Sequence, residues 1–179
     1  IKNYTFWNLD SSFSLMKKLS TFIMILCICM SQSQANDTNL SFYTGVFDTI
    51  DEEGDDQAKL VGLEHRDNNK FRNTFLGKIS PITGGFVSDK NSIYLYTGVE
   101  AIYDIGLISI RPSFTPGYYE AGDGKDLGSA LEFKSEIRLD FNIFENSKIG
   151  YTYSHISNND WGDINPGIDN QTITFSKNF

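Results

Sequence analysis

The stretch LEFKSEIRLDF (residues 131–141) decides the fold class, because the character of its side chains changes at almost every residue. Side chains of a β-strand point alternately to its two faces, so positions two apart share a face. One face would then carry Ser135 and five apolar residues, namely Leu131, Phe133, Ile137, Leu139 and Phe141. The opposite face would carry only charged residues, namely Glu132, Lys134, Glu136, Arg138 and Asp140. The stretch therefore predicts a strand with one apolar face and one charged face.

Similar segments recur along the chain, separated by clusters of Gly, Asp and Asn that are typical of turns and loops. No helical periodicity competes with them, so the chain is predicted to be all-β. Eight strands are predicted, at about 39–48, 57–67, 74–87, 92–103, 106–118, 128–142, 147–157 and 169–179.

In the last two predicted strands, the faces opposite the apolar ones help to distinguish two all-β architectures. In 147–157 and 169–179, aromatic and aliphatic residues alternate mainly with Gly, Ser, Thr and Asn. Residues this small and polar suit the interior of a small membrane barrel, whose outer face is apolar. We therefore expect an eight-stranded antiparallel transmembrane β-barrel of the outer-membrane type. A soluble β-barrel can show the same alternation and stays open as an alternative.

Residues 16–35, MKKLSTFIMILCICMSQSQA, have the pattern of a Sec signal peptide. Two lysines precede an apolar run, and small residues follow it before a cleavage point. Residues 1–15 are then interpreted as an upstream extension, and residues 36–179 as a single barrel domain. Both cysteines, Cys27 and Cys29, lie in the predicted signal, so no disulfide or cysteine-based metal site is expected in the barrel.

The charge distribution restricts the partners of the chain. Its formal net charge of −8 makes nucleic acid an unfavourable partner. The charges of strand 128–142 are expected to pair across the lumen, since eight strands leave little room for a pore. The acidic segment 51–56 matches no Ca²⁺-binding loop and is expected to be a solvated external loop. His65 is expected to be an ordinary strand residue.

Three residue types suited to catalysis occur together in SHISNNDWGDINPGID (residues 154–169). His155 and Ser157 are two residues apart and would share the apolar face of their strand. Asp169 begins the next strand, and it lies an even number of residues from that strand's apolar residues, so it would share their face. In an even-stranded barrel with short periplasmic turns, all three lie at the outer ends of adjacent strands. Their side chains would then face the lipid of the outer leaflet.

This constellation suits ester hydrolysis by serine. Ser157 would be the nucleophile, His155 the base that takes its proton, and Asp169 the group that orients the imidazole. The same spacing also fits an ordinary pair of interfacial polar residues, so the residues alone leave both interpretations open.

Residues 158–168 form the predicted last external loop. Asn158 and Asn165, or nearby backbone N–H groups, are expected to donate hydrogen bonds to a developing oxyanion. Pro166 and Gly167 are expected to shape the turn into the last strand, since proline fixes φ and glycine permits unusual φ.

The segment HISNNDWGDINPGID resembles the His-x-Ser-Asn … Asn-Pro-Gly-x-Glu region of the outer-membrane lipid A 3-O-deacylases, also called PagL-type or acyloxyacyl hydrolase-like proteins. RPSFTPGYYEAGDGKDLGSALEFKSEIRL is similar to that family's Pro-Ser-Phe-x-Pro-Gly-x-Tyr … Asp-Leu-Gly … Glu-Phe-Arg-Ser run. SPITGGFVSDKNSIYLYTGVEAIYDI is similar to the hairpin that precedes it. The similarity spans most of residues 57–179.

The resemblance implies an eight-stranded barrel in the bacterial outer membrane, with its active site facing the outer leaflet. It implies hydrolysis of the ester-linked 3-hydroxyacyl chain at the 3-position of lipid A, without a metal or other cofactor. Ser157 takes the position of the nucleophile, His155 that of the general base and Asp169 that of the acid. Asn165 takes the position of the residue on the oxyanion side, and Asn158 takes that of a residue that supports it. The implied partners are lipopolysaccharide and outer-membrane lipid; the oligomeric state stays open, a homodimer included.

Two departures from the family pattern bear on activity. Asp169 stands where the family usually has Glu, and its shorter side chain predicts a weaker hydrogen bond to His155 and slower turnover. Asn159, Asp160 and Trp161 stand where the family tends to have small residues. The Asp160 carboxylate would either hinder an oxyanion or lipid phosphate, or point to solvent. A catalytically inactive outer-membrane barrel with a structural or surface-interaction role therefore stays open.

Overall fold

Alternating side chains form nine β-strands in the computed structural model, which describes residues 38–49, 57–69, 71–75 and 77–179. The strands are β1 (Thr38–Phe47), β2 (Ala58–Asp67), β3 (Arg72–Thr74), β4 (Gly77–Ser88), β5 (Ile93–Ile105), β6 (Ile108–Glu120), β7 (Leu131–Phe144), β8 (Ser147–Ser157) and β9 (Ile168–Asn178). The predictions for the extension 1–15, the signal 16–35 and the acidic segment 51–56 fall on residues outside the described ranges.

The strands close into a ring. Each of β4 to β8 pairs with the next strand in sequence, β9 pairs with β1, and β1 pairs with β2. The pairing of β2 with β4, from Leu60↔Ser88 to Arg66↔Ile82, completes the circle. All of these pairings are antiparallel. The predicted eight-stranded antiparallel barrel is therefore confirmed.

The predicted strand 74–87 begins differently in the structure. The three residues of β3 pair only with the start of β4, so they extend one hairpin beyond the ring. Thr74 pairs with Gly77 across the turn, and Gly77 has a φ of 92°, which glycine adopts at little steric cost. The predicted strand 74–87 included Thr74, which is the last residue of β3 and not part of β4.

The connections differ in length at the two ends of the barrel. At the end that we call the loop end, segments 121–130 and 158–167 join β6 to β7 and β8 to β9. At the opposite end, which we call the turn end, residues 106–107 and 145–146 join their strands directly. The described residues contain no helical segment with the length and apolar character that a transmembrane helix needs.

The two faces of β7 are those that its sequence predicts. Leu131, Ile137, Leu139 and Phe141 are exposed on the outside, and Ile137 retains 54% of its surface. The five charged residues between Glu132 and Asp140 are buried in the lumen. An apolar exterior and a polar interior are the inverse of a soluble fold and are typical of a membrane barrel.

The lumen is filled in two zones. Near the loop end an aromatic and aliphatic cluster packs together, and it comprises Tyr43, Phe47, Ala58, Leu60, Phe86, Tyr94, Tyr96, Tyr119, Leu127, Ile156 and Ile168. Below it, towards the turn end, lies a network of buried ion pairs. The lumen is therefore a packed core that supports the strand ends near Ser157.

The ion pairs connect charges on the same strand, on neighbouring strands and across the lumen. The Arg138 guanidinium lies 2.6 Å from Glu64 on β2 and 2.9 Å from Glu136. Arg111 contacts Asp140 at 2.8 Å. The predicted pairing of β7 charges across the barrel is confirmed for Arg138, which reaches Glu64 on β2, and such pairing compensates a charge where water is excluded.

Arg138→Met is expected to lower the free energy of unfolding by about 3–5 kcal/mol, because it leaves buried carboxylates without their cation. Urea unfolding in detergent micelles, followed by heat-modifiable gel migration, measures the change. The control is Lys148→Met at the turn end, where Lys148 lies 3.7 Å from an Asp104 side chain that is 68% exposed. Because its acidic partner is well exposed and the charges are 3.7 Å apart, that pair should contribute less than about 1 kcal/mol. Equal losses for the two variants would contradict a stabilising role for the buried network.

Candidate active site

Strand register brings the predicted catalytic residues together at the loop end. His155 on β8 is paired directly with Asp169 on β9, and Ser157 is paired with Phe133 on β7. The residues on either side of His155 point into the lumen and are buried, whereas the His155 side chain is 47% exposed and that of Asp169 is 19% exposed. His155, Ser157 and Asp169 therefore project from the outside of the barrel.

Asp169 contacts the imidazole of His155. Its Oδ1 lies 3.1 Å from Nδ1 of His155, which is hydrogen-bond distance. When Nδ1 carries the hydrogen and donates to the carboxylate, Nε2 is left as the basic nitrogen. The Asp side chain therefore reaches the ring despite being one methylene shorter than Glu.

Ser157 opens into a cleft on the side of β8 that faces β7. The cleft has a volume of about 370 Å³, and it is lined by Phe114, Phe133, Ser135, Ser157, Asn159 and Trp161. The Phe133 ring stacks on Phe114 with centroids 5.9 Å apart, and it meets the edge of Trp161 at 5.2 Å. The nucleophile candidate thus lies beside an apolar, aromatic wall.

The residues after Ser157 form a tight turn. The Trp161 backbone N–H donates to the Asn158 carbonyl at 3.2 Å, and the two residues between them have φ values of 57° and 60°. Positive φ at both central positions defines a type I′ turn, which Asn and Asp tolerate better than most residues. Asn159 and Asp160 are therefore explained by backbone geometry.

Asn158 supports the loops from inside. Its side chain is fully buried, and its Nδ2 donates to the carbonyls of Leu127 and Ile164 at 2.6 and 2.7 Å. Both amide hydrogens are thereby used, so this side chain ties the loop 121–130 to the loop 158–167. It has no hydrogen left to donate to an oxyanion.

Asn165 is held by the turn. Its Oδ1 accepts the Asn158 backbone N–H at 3.1 Å, and its Nδ2 donates to Asp160 at 2.9 Å. One Nδ2 hydrogen remains for another acceptor. The Asp160 carboxylate, which the sequence placed either against the site or in solvent, is exposed and orients this amide.

Gly167 lies against the imidazole. Its φ is 63°, in the left-handed region that glycine adopts freely. A Cβ at this position would lie 2.9 Å from Cε1 and 3.3 Å from Nε2 of His155. The predicted unusual φ is present, and the missing side chain also leaves space for the ring.

Two further side chains border this site that the sequence did not single out. Tyr153 donates its hydroxyl hydrogen to Oδ1 of Asp169 at 2.6 Å. Ser135 is paired with His155 on the β7 side and shares the cleft with Ser157. Tyr153 lies two residues before His155, so the sequence indicates that both side chains share one face of the strand. The contact of Tyr153 with Asp169 depends on the β8–β9 register.

Within the ranges that the structure describes, no three His, Cys, Asp or Glu side chains are grouped so that they could hold a metal ion. The loop end carries the Ser157 hydroxyl, the His155 imidazole and the Asp169 carboxylate on its outer face, and the last two are in contact. This set matches the nucleophile, base and orienting acid of serine-dependent acyl transfer.

A model of the lipid A 3-O-deacylase (PagL) family matches residues 60–178. The chain belongs to this family. The match includes β4 to β9 and most of β2, so it covers the strands that carry the candidate site.

Individual PagL-type proteins and other barrels are also similar to the chain. The lipid A deacylase PagL of Bordetella bronchiseptica is 36% identical over 73 residues, which cover 35% of this chain. The match spans only 41% of that relative's length. The crystal structure of the outer membrane enzyme PagL has a TM-score of 0.61 at 16% identity, covering 79% of this chain and 99% of its own. A de novo designed transmembrane β-barrel has a TM-score of 0.55 at 9% identity, covering 83% and 100%. The structural similarities show the outer-membrane type of barrel.

Gly167→Ala is expected to displace the His155 ring in this PagL-family site, because the added methyl group overlaps it. Two-dimensional NMR of the imidazole groups in detergent micelles should show shifted His155 signals and unchanged signals from His65, the chain's other histidine. Gly106→Ala is the matched control: its φ is 66°, and no described atom lies within 4 Å of the new Cβ. Unchanged His155 signals in Gly167→Ala would contradict the contact.

Proposed function

We propose that this protein is an outer-membrane serine esterase that removes the ester-linked 3-hydroxyacyl chain at the 3-position of lipid A. The observation that carries the proposal is the 3.1 Å contact between His155 and Asp169 on the lipid-facing side of the barrel, with Ser157 two residues beyond. Membership of the PagL family supports the substrate and the reaction.

The proposed reaction proceeds in two steps. Ser157 Oγ attacks the acyl carbonyl carbon while His155 Nε2 takes the hydroxyl proton. The resulting tetrahedral oxyanion collapses, the sugar oxygen leaves with the proton from the imidazolium, and an acyl-serine remains. A water molecule then attacks the acyl-serine with His155 again as base. The products are a free 3-hydroxy fatty acid and a lipid A with a 3-hydroxyl group.

Asp169 has an electrostatic role in this scheme. Its carboxylate accepts the hydrogen on His155 Nδ1, which selects the tautomer with a basic Nε2. It also stabilises the positive charge that forms on the ring. The shorter acid is compatible with both roles, because the distance to the ring is an ordinary one for a hydrogen bond.

Asn165 is the side chain proposed to face the oxyanion. Its amide is fixed by the contacts with Asn158 and Asp160, and it keeps one hydrogen to donate. A donor that is already oriented stabilises developing charge without reorganisation. Asn158 then acts from the barrel interior, by holding the loop.

The placement of the site suits a lipid substrate. In an outer-membrane barrel the longer loops lie outside, so the loop end corresponds to the outer leaflet that contains lipid A. The aromatic wall of Phe114, Phe133 and Trp161 offers an apolar surface next to Ser157. An acyl chain lying there would bring its ester close to the hydroxyl.

Expression of the full chain in a bacterium that makes 3-O-acylated lipid A should shorten that lipid by one 3-hydroxyacyl group, as seen by mass spectrometry. Ser157→Ala and His155→Ala should each lower the rate by at least about a thousandfold, because each removes a member of the reacting unit. His65→Ala is the matched control, since this second histidine is also exposed on a strand but lies near the turn end. Unaltered lipid A with the parent protein would favour the inactive barrel.

A further inference from the structure

We propose that Tyr153 is a positioning residue that holds the Asp169 carboxylate in place for His155. This inference deepens the proposed function and rests on it. Tyr153 has no place in the lining of the cleft beside Ser157, so its effect would pass through Asp169.

One carboxylate oxygen receives both contacts. Asp169 Oδ1 lies 2.6 Å from the Tyr153 hydroxyl and 3.1 Å from His155 Nδ1. A hydroxyl that donates to a carboxylate at this distance makes a charge-assisted hydrogen bond, which is stronger than a neutral one. Two donors on the same oxygen restrict rotation of the carboxylate about its last side-chain bond. The oxygen that orients the imidazole is therefore held from two positions on β8.

The register of β8 and β9 explains how Tyr153 reaches this oxygen. Tyr153 is paired with Gln171, and Asp169 is the diagonal neighbour two residues earlier on β9. Aromatic side chains can span this diagonal on one face of an antiparallel pair. Tyr151 makes the same diagonal contact one step further along, where its hydroxyl donates to Gln171 Oε1 at 2.8 Å.

The surroundings of Asp169 make this hydrogen bond important for the stability of its carboxylate. The Asp169 side chain is 19% exposed in the isolated barrel, and its strand end faces lipid rather than bulk water in the proposed orientation. A carboxylate that has few water molecules depends on protein donors for its stability. Tyr153 supplies one donor and His155 the other.

The short side chain of Asp169 also explains why a second hydrogen bond to its carboxylate matters. An aspartate cannot extend its carboxylate further to follow a moving ring, so the ring and the carboxylate must be held in register. Loss of the phenol oxygen would let the carboxylate rotate away from Nδ1. Fewer molecules would then have the Nε2 lone pair directed at the serine proton.

The activity test uses Tyr153→Phe with Tyr151→Phe as the matched control, both assayed on purified lipopolysaccharide in detergent micelles. Tyr153→Phe should lower kcat by about tenfold and leave KM unchanged, as expected for the loss of one hydrogen bond to a charged group outside the substrate cleft. Tyr151→Phe removes the same atom two residues away and should retain the parent's kcat and KM. Heat-modifiable gel migration should show that both variants remain folded.

The second measurement does not depend on turnover. In NMR spectra of the folded barrel, the His155 Nδ1–H signal should be protected from solvent exchange in the parent and in Tyr151→Phe, and lost or broadened in Tyr153→Phe. A parent-like kcat and Nδ1–H signal in Tyr153→Phe would overturn this inference, as would equal losses in the two tyrosine variants. A parent that releases no 3-hydroxy acid would instead overturn the proposed function, and the NMR comparison would still report on the contact between Tyr153 and Asp169.

Discussion

The pairing of β2 with β4 is the constraint on which the remaining structure depends, because it closes the sheet. Within a bilayer no water is available to satisfy a free strand edge, so only a closed ring pairs every strand with two neighbours. Closure also separates an inside from an outside. The alternating sequence of each strand then assigns its side chains to these two environments.

The closed lumen and the lipid-facing surface have different functions. Inside, aromatic packing near the loop end and the ion pairs around Arg138 hold eight strands in one arrangement. Outside, β8 and β9 carry the candidate catalytic side chains. A rigid interior lets these strands hold small polar groups at hydrogen-bond distances on a surface that is otherwise apolar.

The loop after Ser157 shows how backbone conformation serves the site. The left-handed residues Asn159 and Asp160 reverse the chain, and Gly167 passes beside the His155 ring. Asn158 faces the interior and joins two loops through both of its amide hydrogens. The residues that depart from the family pattern are therefore accommodated, and Asp160 orients Asn165 rather than lying unpaired.

The sequence by itself determined the strands, their apolar and polar faces, and the shared outward face of His155 and Ser157, because each follows from the two-residue period of a β-strand. Only the tertiary structure decided that His155 lies opposite Asp169, that Tyr153 reaches the same carboxylate, and that Asn158 turns inward. It also separated β3 from β4. Register between strands and the packing of distant loops depend on partners elsewhere in the chain, and a slip of one residue would turn every side chain to the other face. Local alternation specifies a face, whereas the closed sheet specifies which neighbour that face meets.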